Sequence, residues 1–198
     1  MLSWPNRITL ARLLLVPVFV LLLLNAAGNP DYRYAALGLA VLIGIADAAD
    51  GIVARRTGKV TKIGSVLDPL ADKALMISAL VLLSSARVMP DLQARLPYWV
   101  SVTLVSRDVF MLVGAAVLFL LAGMFQALSS ASGKAVTVMQ FLMIAATIAS
   151  PDLLGWWPVG AWWALHVIWA VTVALGVISW LGYIRMGLKL IVSVGNPD

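Results

Sequence analysis

Four aspartates lie within one short stretch of a chain that is otherwise strongly apolar. Together with small residues and an arginine they form the pattern Asp47-x2-Asp50-Gly51-x2-Ala54-Arg55-x8-Gly64-x3-Asp68-x3-Asp72. A charged side chain is costly at membrane depth, so acidic residues in such a setting indicate a functional site. Carboxylate oxygens without histidine or cysteine nearby favour Mg²⁺, Mn²⁺ or Ca²⁺ over zinc as the bound cation.

The spacing of these residues predicts that they share helix faces. On a helix that ends the second apolar stretch, positions i, i+3, i+4 and i+7 lie on one stripe. These positions are Asp47, Asp50, Gly51 and Ala54. Asp68 and Asp72 share a stripe at the start of the third apolar stretch. A loop of about 14 residues would let the two helices pack antiparallel, so we expect the four carboxylates to converge.

Convergence of four carboxylates creates a strong electrostatic requirement. Like charges in a low-dielectric site repel, so either some of the acids are protonated or divalent cations neutralise them. Two ions that share carboxylates are the usual arrangement for phosphate chemistry. Gly51 and Ala54 remove side-chain bulk on the same face, and Arg55 provides a planar fork for phosphate oxygens. In the alternative reading, a structural ion network at the bilayer edge pairs the acids with Arg55, Arg56, Lys59 and Lys73.

The composition places the protein among integral membrane proteins. Of its 198 residues, 62% are hydrophobic and 12% are charged, and the mean hydropathy is +0.99. In soluble proteins about a quarter of the residues are charged. Six apolar stretches have the length of a helical span; they cover approximately 8–24, 34–53, 68–85, 96–121, 135–149 and 162–184. We predict an all-α bundle of six transmembrane helices that forms a single domain over residues 1–198.

The distribution of lysine and arginine predicts the orientation of this bundle. The positive-inside rule is satisfied if the following residues are cytoplasmic: Arg7, Arg12, Arg55, Arg56, Lys59, Lys62, Lys73, Lys134, Arg185 and Lys189. Both termini and the acidic motif are then expected at the cytoplasmic side, in a bacterial inner membrane. The formal charge of +5 suits a membrane surface rather than nucleic acid. In an alternative reading, Arg7 and residues 13–24 belong to a cleaved signal peptide.

The full pattern from Asp47 to Asp72 resembles the motif of the CDP-alcohol phosphotransferase family, and every position of that motif is filled here. The resemblance extends to three further segments, Pro5-Asn6-Arg7-Ile8-Thr9-Leu10-Ala11-Arg12, Ser106-Arg107-Asp108 and Gly133-Lys134. It therefore covers most of the chain, including the number of spans.

This resemblance implies a role for each motif residue. Three aspartates would hold two divalent ions, Mg²⁺ or Mn²⁺, with help from Asp72; the three are Asp47, Asp50 and Asp68. The ions would bind the diphosphate of a CDP-linked lipid such as CDP-diacylglycerol. Asp72 would also act as the general base, taking the proton from an alcohol that attacks the lipid-side phosphorus and expels CMP. The residues that would receive the cytidine and phosphates are Asn6, Thr9, Gly51, Ala54 and Arg55.

The acceptor alcohol is the part of the reaction that the sequence leaves open. Arg107 lies near the middle of the fourth apolar stretch, where it must face the bundle interior and meet an anion. Adjacent helix positions diverge, so a simple pair with Asp108 is not expected. Together with Lys134 and Arg185, Arg107 would form a pocket for the acceptor phosphate.

Two acceptors are favoured by different segments. Residues 5–12 resemble phosphatidylglycerophosphate synthases, which use glycerol 3-phosphate, and we prefer that acceptor. Residues 106–109 and 133–136 instead resemble CMP-forming cardiolipin synthases, whose acceptor is phosphatidylglycerol. Inositol phosphate, serine and choline are further candidates.

Another functional class, a cation or proton transporter, would use the aspartates as an ion site. Transporters show inverted repeats and broken helices near the midplane, whereas these acids lie in one contiguous segment with basic neighbours.

The only histidine, His166, lies among tryptophans on the side of the membrane opposite the acids. It is expected to be an interfacial residue whose polar atoms are hydrogen-bonded, without a catalytic role. A homodimer is also open, since four glycines would allow close helix contacts: Gly114, Gly123, Gly176 and Gly182.

Overall fold

The computed structural model describes residues 4–57, 64–91, 93–122 and 131–195, with side chains for most of residues 11–46, 73–117 and 133–186. This part of the chain contains six α-helices and no strand. The helices are α1 (Trp4–Leu24), α2 (Pro30–Thr57), α3 (Gly64–Leu83), α4 (Tyr98–Ala122), α5 (Ala131–Trp156) and α6 (Pro158–Gly195). The all-α prediction is confirmed, and the number of helices equals the number of predicted spans.

Local residue types mark the ends of several helices. Asn29 is the N-cap of α2, because its Oδ1 accepts a hydrogen bond from the backbone N–H of Asp31 at 2.8 Å. Pro30 occupies the first helical position, where its missing N–H is not needed. Pro158 begins α6 in the same way. At the other end of α1, the side-chain amide of Asn25 donates to the carbonyl of Leu21.

The helices extend beyond the apolar stretches that predicted them. α2 continues past Val53 to Thr57, and α3 begins at Gly64 rather than at Asp68. The connection expected to have about 14 residues is therefore shorter, since only residues 58–63 lie between the two helices. Hydrophobicity marks the part of a helix that is surrounded by apolar groups, whereas arginine is a good helix former in any surroundings.

Pro151 lies just beyond the fifth apolar stretch, which ends at about residue 149. The residue lies inside α5, which continues to Trp156. A proline at this position leaves the carbonyl of Thr147 without its usual backbone donor. The hydroxyl of Ser150 donates to that carbonyl at 2.7 Å, which replaces the lost hydrogen bond. Ser and Thr side chains commonly allow a proline in an apolar helix in this way.

The core is formed where α5 packs against α6 and where α3 packs against α1, α4 and α5. The largest of its fully buried side chains is Trp169 on α6, whose indole N–H donates to the hydroxyl of Thr147 on α5 at 3.1 Å. Leu80, Leu104 and Met143 bring α3, α4 and α5 into the same buried cluster. Helix α3 is therefore held on three sides.

Opposite the motif, the bundle is closed by polar contacts. Arg33 at the start of α2 binds both carboxylate oxygens of Asp152 on α5, at 2.7 and 2.9 Å, and the hydroxyl of Tyr34 donates to the same carboxylate. In the connection between α3 and α4, the guanidinium of Arg95 donates to the carbonyls of Met89 and Pro90. These contacts order the ends of the helices on this side.

Two helices in the described part are long and apolar enough to cross a membrane, Gly133–Trp156 and Pro158–Met186. Both meet at the end of the bundle that carries exposed aromatic residues. Trp156 is 95% exposed, and Trp157, Tyr98 and Trp99 are also exposed. Amphipathic aromatic side chains at one level are typical of a membrane–water interface.

Two glycines are places where neighbouring helices come close. A Cβ on Gly44 of α2 would lie 2.6 Å from the ring of Phe141 on α5, and one on Gly176 of α6 would lie 3.0 Å from Leu104 on α4. The expectation of close contact is thus met at Gly176. Gly114 and Gly182 face open space, and Gly123 lies outside the described residues.

We expect Gly44→Ala to destabilise the protein, because the added methyl group must displace the Phe141 ring and overpacking of this kind costs about 1–3 kcal/mol. Gly38 on the same helix has nothing within 4 Å of its Cβ position, so Gly38→Ala is the matched control and should be neutral or slightly stabilising. Thermal unfolding of the two variants in detergent checks this. Equal midpoints would show that α2 and α5 do not approach closely at Gly44.

Candidate active site

The acidic motif is divided between two helices. Asp47 and Asp50 lie in the C-terminal part of α2, and Asp68 and Asp72 lie in the N-terminal part of α3. Both pairs are thus on helices, as predicted, at the ends that the short connection joins. A chain rises at most about 3.6 Å per residue, so Thr57 and Gly64 are no more than about 25 Å apart. The side chains of the motif, including Gly51, Ala54 and Arg55, lie outside the described residues, as do those of Asn6 and Thr9 on α1.

A buried polar network begins at the next residue of α3. Its centre is Asp108 of α4, which has no exposed surface. Lys73 Nζ lies 3.2 Å from Asp108 Oδ1, and Arg107 Nη1 lies 2.7 Å from the same oxygen. Gln140 of α5 donates from Nε2 to Asp108 Oδ2 at 3.0 Å, and Arg107 Nη2 donates to the hydroxyl of Ser179 on α6 at 3.2 Å. Side chains from α3, α4 and α5 therefore meet at one carboxylate, and α6 joins the network through Arg107.

The pair formed by Arg107 and Asp108 corrects a sequence prediction. Adjacent residues were not expected to bind each other, since their Cβ atoms point in different directions. The guanidinium, however, is several bonds away from the Cβ atom and curves back to its neighbour at 2.7 Å. Arg107 is only 1% exposed, so the prediction that it faces the interior and meets an anion is confirmed.

Among the residues whose side chains are described, two cations of this network share one anion. Lys73 Nζ lies at ion-pair distance from Asp108 without the orientation of a hydrogen bond. Arg107 Nε and Gln140 Oε1 are also buried and have no hydrogen-bond partner among the described residues. Removing Asp108 would thus take away the carboxylate that both buried cations contact, and removal of one partner from a buried ion pair strongly destabilises proteins.

The three residues predicted to bind the acceptor lie in different environments. Arg107 is buried inside the network, whereas Lys134 on α5 and Arg185 on α6 are exposed. Lys134 and Arg185 are thus accessible to a solute, while Arg107 is occupied by Asp108 and Ser179. A shared acceptor pocket for the three stays a prediction.

His166 has a hydrogen-bond partner and aromatic neighbours on its own helix. Its Nδ1 is 2.8 Å from the carbonyl of Trp162, one turn earlier on α6. Its ring lies 4.0 Å from the ring of Trp162 and 4.8 Å from that of Trp169, measured between centroids. The imidazole is thus partnered locally.

Sequence reasoning missed most of the network around Asp108. Lys73 was assigned to the cytoplasmic surface or to the motif acids, yet it pairs with Asp108. Gln140 and Ser179 were not singled out. The signal that would have found Gln140 is an amide inside the fifth apolar stretch, where every polar group needs a partner. Serine hydroxyls such as that of Ser179 carry no comparable signal, because they can bond to their own helix.

The fold and motif agree with a comparison to known protein families. The chain matches the CDP-alcohol phosphatidyltransferase family over residues 2–183. It belongs to this family.

Three curated relatives show the range within the family. A CDP-diacylglycerol–glycerol-3-phosphate 3-phosphatidyltransferase from Bacillus subtilis is 38% identical over 118 residues, 54% of this chain and 58% of that protein. A CMP-forming cardiolipin synthase from Streptomyces coelicolor is 35% identical over 118 residues, 59% of this chain and 52% of that protein. The chain thus spans about half the length of these two relatives. A CDP-diacylglycerol–glycerol-3-phosphate 3-phosphatidyltransferase from Aquifex aeolicus is 28% identical over 191 residues, 94% of this chain and 97% of that protein.

The residues of the motif fit the divalent metal on which this family generally depends. Their donor set is four carboxylates without a thiolate or imidazole in the motif, which suits a hard cation that prefers oxygen ligands. Among the residues whose side chains are described, no group of three or more potential ligands occurs. The donor set of the motif makes it the candidate metal centre.

We expect Asp108→Ala to lower the free energy of unfolding by about 3–5 kcal/mol, because it strands Lys73 and Arg107 as buried cations. The control is Asp152→Ala, which removes the half-exposed carboxylate bound to Arg33 and should cost less than Asp108→Ala, because water reaches this carboxylate. Thermal and denaturant unfolding in detergent measures both. A loss at Asp108 no greater than that at Asp152 would contradict the burial of the network.

Proposed function

We propose that this protein transfers a phosphatidyl group from CDP-diacylglycerol to an alcohol and releases CMP. The observation that supports this most directly is the complete acidic motif, carried on the adjoining ends of α2 and α3 in a chain that belongs to the CDP-alcohol phosphatidyltransferase family. The reaction needs a site for the diphosphate of the donor and a base for the alcohol, and the motif contains residues for both.

The roles of the motif residues follow from the family resemblance. The metal-binding carboxylates are Asp47, Asp50, Asp68 and Asp72. Two Mg²⁺ or Mn²⁺ ions, when bound, supply positive charge that stabilises the leaving and attacking oxygens. The donor-binding residues are Asn6, Thr9, Gly51, Ala54 and Arg55. Small side chains allow the nucleotide to approach the helix, and the arginine provides paired N–H donors to phosphate oxygens.

Asp72 accepts the proton of the acceptor alcohol in this proposal. The alcohol oxygen forms a bond to the lipid-side phosphorus, the phosphoanhydride bond of the donor breaks, and CMP leaves with the electron pair of that bond. The proton remains on the Asp72 carboxylate until it passes to water. Asp72 follows Asp68 by four residues, about one helical turn, on the same face of α3, so the base would lie beside a metal-binding carboxylate.

The preferred acceptor is glycerol 3-phosphate. A relative from Aquifex aeolicus that aligns with nearly the whole chain is named for that acceptor. Lys134 and Arg185 are exposed cations that can meet its phosphate, and Arg107 is proposed as a deeper contact once its present partners rearrange. The second candidate is a CMP-forming cardiolipin synthase that uses phosphatidylglycerol, because the Streptomyces coelicolor relative carries that name at comparable identity.

The site is proposed to lie at the cytoplasmic side of a bacterial inner membrane, with all six helices spanning the bilayer and both termini in the cytoplasm. Two described helices are of spanning length and apolarity, and exposed aromatic residues gather at the end of the bundle opposite the motif. The basic residues lie mainly at the motif end, as the positive-inside rule requires.

The test supplies purified protein with CDP-diacylglycerol and Mg²⁺ and with one acceptor at a time, and it measures both CMP and the lipid product. We expect CMP release that depends on glycerol 3-phosphate, with phosphatidylglycerophosphate as the product. Cardiolipin formed from phosphatidylglycerol would favour the second candidate. No CMP release with any acceptor would contradict phosphatidyl transfer and leave a cation transporter as the alternative.

The same assay tests the assignment of the base. Asp72→Asn should lower kcat by at least about a hundredfold, the usual contribution of general acid–base catalysis, while CDP-diacylglycerol still binds. Asp91→Asn is the matched control, because Asp91 is an exposed acid in the connection between α3 and α4 and should leave kcat unchanged. Near-normal turnover of Asp72→Asn would remove Asp72 as the base.

A further inference from the structure

The buried contact between Lys73 and Asp108 joins α3 to α4 next to the proposed metal centre. Lys73 is 8% exposed and Asp108 is fully buried, and their charged atoms lie 3.2 Å apart. Lys73 directly follows Asp72 along α3. A helix is stiff over one turn, so a contact that fixes Lys73 also fixes the backbone position from which the Asp72 side chain extends.

A second polar contact between α3 and α4 also depends on how the two helices are aligned along their axes. The hydroxyl of Ser101 on α4 donates to the carbonyl of Leu80 on α3 at 2.9 Å. Leu80 lies seven residues after Lys73, and Ser101 lies seven residues before Asp108. The two contacts are therefore two helical turns, about 10 Å, apart on antiparallel helices. Sliding α3 along α4 in either direction would break both contacts.

Among the described side chains, the charge arrangement favours a positioning role for Lys73 over a stabilising one. Arg107 already binds Asp108 at 2.7 Å, so the carboxylate has a counter-charge without Lys73. A further buried cation adds a desolvation cost that one shared carboxylate repays poorly. The best attested benefit of a buried ionic group is that it specifies one register among several.

We propose that Lys73 and Asp108 form a positioning pair that holds the N-terminal half of α3, and with it Asp68 and Asp72, in register against α4. The pair does not touch substrate, and it acts through the two carboxylates. This inference rests on the proposed function for the identity of the metal ligands. Gln140 supports the pair from α5 by binding the other oxygen of Asp108.

The experiment measures Mn²⁺ binding to the full-length protein in detergent by the loss of the free Mn²⁺ resonance in electron paramagnetic resonance, without any lipid substrate. The variants are wild type, Lys73→Met, Lys73→Arg and Ser101→Ala. Lys73→Met keeps the stem of the side chain and leaves Arg107 and Asp108 as a balanced pair, so we expect it to fold. Lys73→Gln is the substitute if its thermal midpoint shows that it does not.

We expect Lys73→Met to weaken Mn²⁺ binding about tenfold and to lower kcat by a similar factor, as loss of a group that orients metal ligands does. The acceptor KM should stay unchanged. Lys73→Arg should recover most of the affinity, because it restores the ion pair. Ser101→Ala removes the more distant tie, so it should lower the thermal midpoint and weaken Mn²⁺ binding much less than Lys73→Met does.

Wild-type Mn²⁺ affinity in Lys73→Met would overturn the proposal. An equal loss in Ser101→Ala would also overturn it, since any weakening of the contact between α3 and α4 would then suffice. Mn²⁺ binding without CMP release by the wild type would contradict the proposed function alone, because the metal titration tests the positioning pair without turnover.

Discussion

A charge inside an apolar bundle must be neutralised nearby, and this constraint shapes both polar regions of the protein. Around Asp108 the neutralising groups are side chains, Lys73 and Arg107, on α3 and α4. In the acidic motif we propose that they are divalent cations. The two regions are adjacent along α3, so a carboxylate neutralised by side chains lies beside the carboxylates that we propose bind metal.

This arrangement explains why α3 is held on three sides. A metal centre divided between two helices depends on the relative position of those helices to a fraction of an ångström. α2 and α3 each pack against α1 and α5, and these shared neighbours provide a common frame. The ties from Lys73 to Asp108 and from Ser101 to Leu80 then fix α3 along its own axis. The clasp between Arg33 and Asp152 joins α2 to α5 at the far end.

Much of the fold could be predicted from the sequence, because apolar length and helix-start residues are local properties. The six helices and the placement of both aspartate pairs on α2 and α3 follow from them. Helix ends such as Thr57 and Gly64 were missed, since helices continue where hydrophobicity stops. The continuation of α5 through Pro151 could not be predicted from the apolar stretch, because it depends on the position of the Ser150 hydroxyl. The network around Asp108 joins residues from four helices, and no spacing rule along the chain predicts which polar groups meet across a bundle.

The central claim is that the motif carboxylates bind cations rather than basic side chains. Anomalous scattering from crystals grown with Mn²⁺ tests it directly. The account predicts two peaks about 3.5–4 Å apart, between the ends of α2 and α3 and within bonding distance of Asp47, Asp50, Asp68 and Asp72. Absence of any peak there, with the four carboxylates bound to arginine and lysine side chains, would contradict it.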